Sequence, residues 1–133
     1  RRHLAERAVD EIDVAALRIP SRRDAVLDQA WAEFTSPEAL AVGQLWVAAW
    51  TEPDLAGALV EVQRRLSTVI VGTAAALFPS ESSNEAFLSL VDLAVSTICG
   101  LITAIPITGR EAVDARWQAL KPLLLQTAAG VLD

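Results

Sequence analysis

The last fifty or so residues constrain the fold most, because they form two long helical segments that are apolar on more than one side. In the first segment, residues 83–105, apolar side chains recur at three- and four-residue steps along one helical stripe: Leu88, Val91, Val95, Ile98 and Ile102. A second apolar stripe runs beside it. One stripe can face the chain's own core, and a second copy of the same helix pair most simply covers the other. The pattern therefore predicts a helical homodimer.

Composition limits the remaining possibilities. A length of 133 residues predicts a single domain, 1–133. The hydrophobic fraction is 53%, tyrosine is absent, and the mean hydropathy is +0.36. With no alternating runs of β-branched residues, this composition favours an all-α fold. Arginine outnumbers lysine ten to one, Lys121 being the only lysine, which indicates a GC-rich and hence bacterial source.

Charge and side-chain chemistry exclude several function classes. A net charge of −6 argues against binding of DNA or RNA by this chain alone, because the phosphate backbone requires clustered cations. His3 and Cys99 are the only residues of their kinds, which argues against a disulfide, a histidine metal site and a Ser–His or Cys–His nucleophile pair. Cys99 lies mid-helix and is expected to be buried. We predict no metal, no other cofactor and no enzymatic activity.

The termini and apolar runs bear on location. Residues 1–13 are charged and amphipathic, unlike a signal peptide, and this favours the cytoplasm. The chain contains no methionine, and we expect a segment upstream of Arg1. The uncharged runs 66–80 and 93–109 are shorter than the roughly 20 residues that span a bilayer, so buried core helices are preferred to membrane helices.

Start and stop signals predict six helices. The first, within residues 1–18, is amphipathic and ends before Pro20. Ser21 is interpreted as the N-cap of the second helix, and Ser36–Pro37 and Thr51–Pro53 open the third and fourth within residues 21–80. The terminal pair occupies residues 83–132, with Pro122 inside the last helix.

Aromatic side chains are the only unusual chemical resource. Trp31, Phe34, Trp46 and Trp50 come from two consecutive helices, and they either fill an ordinary core or line an apolar pocket for a flat ligand. On the second interpretation Leu66, Ile70, Phe87 and Val91 complete the wall, and Gln44 and Thr73 orient the ligand.

Several strings resemble the C-terminal regulatory domain of TetR-type transcriptional repressors. They are the opening Arg–His–Leu–Ala–Glu–Arg, the run from Phe34 through Leu45–Trp46–Val47–Ala48–Ala49–Trp50 to Pro53–Asp54–Leu55, and the terminal runs beginning at Phe87 and at Arg116. The resemblance covers essentially the whole chain and includes no catalytic signature.

This resemblance implies a six-helix bundle with a connector helix at 1–18, pocket helices at 21–80, and a dimeric four-helix bundle from residues 83–132. It implies a small-molecule effector, and operator DNA bound only through an N-terminal helix-turn-helix that this chain lacks. We place the dimer interface at Val95, Ser96, Gly100, Thr103, Ala104, Trp117, Leu120, Leu124 and Ala128. A helical interaction module without a ligand, an unrelated helical enzyme and a small membrane protein remain the alternatives.

Overall fold

The computed structural model describes residues 16–17, 19–77 and 85–133 of the chain. Within these ranges all regular structure is helical and no strand occurs, which confirms the all-α class. The predicted connector helix and the loop 79–84 lie outside the described residues, apart from a short piece at Ala16 and Leu17.

Five helices of more than two turns follow one another along the described part of the chain. They are α1 (Arg23–Phe34), α2 (Pro37–Ala48), α3 (Pro53–Leu77), α4 (Glu85–Ile102) and α5 (Arg110–Leu132). A four-residue helical turn, Ile105–Thr108, separates α4 from α5. These helices correspond to the second to sixth helices expected from the sequence.

Local sequence accounts for most helix ends. The Ser36 hydroxyl accepts a hydrogen bond from the Ala39 amide at 3.2 Å, so the predicted cap of α2 is confirmed. Ser21 is not an N-cap, which corrects the prediction: it lies inside the 3-10 turn Pro20–Arg22, which Pro20 opens, and α1 begins after it. Pro122 lies within α5, and the helix continues through it.

The core is built from α1, α4 and α5. Helices α4 and α5 pack as an antiparallel pair, because Phe87 at the start of α4 contacts Val131 and Leu132 at the end of α5. Helix α1 packs on both. The main cluster of buried side chains comes entirely from these helices: Trp31, Ile98, Leu101, Val113, Trp117 and Leu124.

Helices α2 and α3 pack against each other and form a hairpin that we call the arm. No residue of α2 is buried, and neither is any described side chain of α3. Several large apolar residues of the arm face solvent: Leu45, Val47, Trp50, Val60 and Val71. Since buried apolar area is the main stabilising contribution, the arm is held much less tightly than the core.

One stretch among the described residues, Glu85–Thr108, is long and apolar enough to cross a bilayer, with a mean hydropathy of 2.0. Only 17% of its most apolar window is buried in the single chain. Length and composition alone do not separate a membrane helix from a core helix, so the prediction of a chain without membrane contact stays a prediction.

Candidate functional site

The predicted aromatic wall is not brought together. The ring of Trp31 stacks on that of Trp117, with centroids 5.1 Å apart and planes 7° from parallel, and Phe34 packs against the same cluster. Trp31 and Phe34 thus belong to the core, which corrects their assignment to a pocket wall. Trp50 is 90% exposed at the tip of the arm. Short connections made these helices neighbours without turning all their rings to one side.

The other predicted pocket residues are also separated. Phe87 is buried near the end of α5, with Val91 packed against it. Gln44 is exposed on α2, and Leu66 is half-buried on α3. The side chains of Ile70 and Thr73 lie outside the described part of the structure. Among the predicted residues whose side chains the structure describes, Trp46 is the one that lines an apolar surface depression.

This depression, which we call the groove, lies between α2 and α3 and has a volume of about 320 Å³. Its lining is Trp46, Ala49, Ala56, Leu59, Val60 and Gln63. Gln63 is the one lining residue with a side-chain amide, and none of the six is charged. The groove is open to solvent along its length, so it suits a flat, neutral, apolar molecule or an apolar side chain of another protein better than an ion.

The contact between α1 and α5, which we call the seam, holds polar groups that sequence reasoning missed. Lys121 Nζ lies 3.0 Å from Asp24 Oδ1 and 2.9 Å from Asp28 Oδ2. Both stacked rings donate their indole N–H groups to carboxylates: Trp117 to Asp28 at 3.1 Å and Trp31 to Asp114 at 2.9 Å. These bonds fix the register of α1 on α5, because each one is directional.

Another ion pair joins the beginning of α1 to the end of the chain, directly after α5. The buried guanidinium of Arg23 binds both carboxylate oxygens of Asp133, at 2.7 and 3.1 Å, and Nε donates to the Leu17 carbonyl at 2.8 Å. The sequence did carry a signal for part of this network. Lys121 falls on the same helical stripe as Trp117, Leu124 and Ala128, and a lysine on a buried stripe needs acidic partners.

Three carboxyl groups of the seam have their pKa values lowered below the usual 3.8. Burial raises the pKa of Asp28, but hydrogen bonds from Lys121 and Trp117 together outweigh it. The hydrogen bond from Arg110 lowers the pKa of Asp114, and that from Arg23 lowers the pKa of Asp133. The folded state therefore binds protons less readily than the unfolded chain, and the stability that these groups contribute is lost as pH falls through their lowered values.

We expect the urea midpoint of unfolding to fall steeply as the pH drops below 3.8, the ordinary value for these carboxyls. Circular dichroism at a series of pH values from about 6 to 2.5 measures it. In Asp28→Asn the midpoint should be lower at neutral pH and the acid dependence shallower. Glu61→Gln is the matched control, since Glu61 pairs with Arg64 and Arg65 along the exposed surface of α3, away from the seam. Equal flattening by both variants would contradict the assignment to the seam.

The predicted dimer-interface residues divide between two sides of the helix pair. Trp117, Leu124 and Ala128 are buried inside the chain, and Leu120 and Ala104 pack against its core. These five are corrected: the stripe chosen on α5 is the one that meets α1 and α4. Val95 is half-buried, whereas Ser96 and Gly100 are exposed on α4 and Thr103 is exposed immediately after it. Cys99 is exposed beside them, contrary to the expectation of burial.

The exposed side of α5 carries little charge. From residue 112 to residue 130 its exposed residues are Ala112, Ala115, Arg116, Gln118, Ala119, Pro122, Leu123, Gln126, Thr127, Ala129 and Gly130. Arg116 is the single charged residue in this set. Soluble helices usually present charged residues to water, so a side this poor in charge is a candidate interaction surface.

The exposed side of α4 is similar, and three hydroxyl groups in or just after this helix donate to residues three or four positions earlier. Ser96 donates to Asp92 at 3.1 Å, Thr97 to the Leu93 carbonyl at 2.7 Å, and Thr103 to the Gly100 carbonyl at 2.6 Å. Hydroxyl groups satisfied in this way lose few bonds to water when another surface covers them. We call the exposed sides of α4 and α5 together the outer face.

Comparison with known proteins identifies no relative: no family model, no curated protein and no solved structure matches the chain. Among the described residues, no group of three His, Cys, Asp or Glu side chains is placed to hold a metal ion. The candidate sites are therefore the groove and the outer face, and each is defined by its own geometry.

Proposed function

We propose that this chain is the regulatory domain of a TetR-type transcriptional regulator. In this proposal it forms a homodimer through the outer face and binds a small apolar or aromatic effector in the groove. Operator DNA is bound by a helix-turn-helix outside this chain, and the effector promotes its release. The low charge of the outer face is the observation that carries the proposal, because an antiparallel helix pair with such a face fits a four-helix bundle formed with a second copy.

The groove supports the ligand half of the proposal. Its volume of about 320 Å³ lies at the lower end of the range for small-molecule sites, and Trp46 offers a flat apolar surface. This location differs from the pocket expected from the sequence, since it uses Trp46 without Trp31 or Phe34. A neutral ligand with one hydrogen-bonding group would match the lining and its single amide, Gln63.

A second candidate is an interaction module that binds another protein through the arm. The openness of the groove and the 90% exposure of Trp50 favour it, since an exposed tryptophan beside an apolar depression is typical of a binding hot spot. Saturable binding of a small molecule distinguishes the two candidates.

Two variants test the two parts of the proposal separately: dimerisation through the outer face and ligand binding in the groove. Leu123 is 58% exposed on the outer face, and Val60 is 66% exposed at the groove. Sedimentation velocity at micromolar concentration should show a dimer for the wild type and for Val60→Glu, and a monomer for Leu123→Glu. The neutral aromatic probe N-phenyl-1-naphthylamine should bind saturably to the wild type and to Leu123→Glu, but not to Val60→Glu. Each variant is thus the control for the other.

A monomeric wild type would contradict the dimeric regulatory domain. A dimer that shows no saturable probe binding would favour the interaction module instead. Unfolding of either variant is excluded by comparing its circular dichroism with that of the wild type, since both replaced side chains are largely exposed.

A further inference from the structure

The described chain has two parts that differ in how tightly their side chains are packed. The core of α1, α4 and α5 contains the main buried cluster. The hydrogen bonds and ion pairs of the seam also join α1 to α5. The arm contains no buried residue among its described side chains. Within the described residues, the junction of α1 and α2 is a direct route by which movement of the arm can reach the core.

This junction is short and its residues are specifically bonded. Thr35 ends α1 and is only 4% exposed, and Ser36 caps α2 immediately afterwards. The Thr35 hydroxyl donates to the Trp31 carbonyl at 2.6 Å and accepts a hydrogen bond from Arg110 Nη2 at 3.0 Å. Arg110 is the first residue of α5, directly after Gly109, whose φ of +90° suits glycine alone.

These hydrogen bonds belong to a closed ring that joins the junction to α5. Arg110 Nε donates to Asp114 at 3.0 Å, and Asp114 also accepts the indole N–H of Trp31 at 2.9 Å. Trp31 in turn supplies the carbonyl that Thr35 binds. The direction in which α2 leaves the core is therefore tied to the beginning of α5, a helix that contributes to the outer face.

We propose that Thr35 and Arg110 form a latch that holds the arm in its position on the core. The latch connects the arm, which contains the groove, to α5, which contributes to the outer face, and this regulatory meaning rests on the proposed function. Thr35 and Arg110 act as positioning residues: neither lines the groove, and Arg110 is not among the apolar residues of the outer face. Breaking the latch loosens the arm and leaves the core intact.

Thr35→Val is the sharpest test, because valine keeps the shape of the buried side chain and removes only its hydroxyl. The Trp31 carbonyl remains bonded, since it also accepts the Thr35 backbone amide at 3.0 Å. Arg110 is half-exposed, so water replaces the partner that it loses. Thr35→Ser retains the hydroxyl and should behave as the wild type. Arg110→Gln removes the other side of the latch.

Hydrogen exchange followed by mass spectrometry is measured on the full chain without any ligand. In Thr35→Val and in Arg110→Gln, amides of residues 37–69 should exchange roughly two- to tenfold faster, the change that one net hydrogen bond produces. Exchange in residues 117–128 should not change, and Thr35→Ser should match the wild type. Unchanged exchange in the arm in both latch variants would overturn the proposal, as would equal acceleration in the arm and in α5. Because the measurement needs no ligand and compares the arm with the core of the same sample, this outcome is separate from the outcome of the probe and sedimentation experiments.

Discussion

Trp117→Ala is expected to lower the free energy of unfolding by about 3–5 kcal/mol, the range for truncation of a large buried aromatic residue. Trp117 has no exposed surface, and its ring stacks on Trp31. The change leaves a cavity between α1 and α5 and removes the indole donor to Asp28. Urea unfolding monitored by circular dichroism measures the loss.

The chain provides a matched control for this substitution. Trp50→Ala removes the same side chain from a site that is 90% exposed, and it should change the free energy of unfolding by no more than about 0.5 kcal/mol. If the two variants were equally destabilised, the assignment of Trp117 to the core and Trp50 to the surface would be wrong. A large effect of Trp50→Ala alone would indicate that another surface covers the tip of the arm.

Phe87→Ala is expected to cost about 3 kcal/mol, toward the lower end of the range for phenylalanine. Phe87 is 1% exposed, but its neighbours Leu17, Leu88, Val91, Val131 and Leu132 are only partly buried. Such neighbours can close over part of the cavity, which reduces the loss. Leu45→Ala, which truncates a side chain exposed on α2, should cost less than about 1 kcal/mol.

The two buried clusters lie in different parts of the α4–α5 pair and share no residue. The effects of Trp117→Ala and Phe87→Ala should therefore add to within about 0.5 kcal/mol in the double variant. Both should shift the same cooperative transition, because α5 contributes to both clusters. A separate early transition in Phe87→Ala would show that this end of the helix pair unfolds independently.

Under the proposed regulatory function, the outer face and the groove require different local stabilities. The outer face must be stable enough to hold two chains together, and it lies on the well-packed core. The groove must respond to a ligand, and it lies on the loosely held arm. This arrangement agrees with the general tendency of binding elements to come from the less stable parts of a protein.

The sequence by itself determined most of the described helices, because their signals are local. Proline and serine at Ser36–Pro37 and proline at Pro53 mark two helix starts that the structure has at the same residues. The period of apolar residues predicted α4 and α5 to within two or three residues at each end. The break before Pro106 was placed too late, since α4 ends at Ile102.

Only the tertiary structure decided which side of each helix meets which neighbour. Helix α5 has an apolar stripe through Trp117, Leu124 and Ala128 and a small, uncharged side through Ala112, Ala119 and Leu123; periodicity alone did not say which one α1 would cover. The same is true of the rings, since Trp31 turned to the core and Trp46 to the groove. The pairing of Lys121 with Asp24 and Asp28 joins residues more than ninety positions apart. Such contacts depend on helix rotation and register, which the packing of the whole chain sets and no short stretch of sequence encodes.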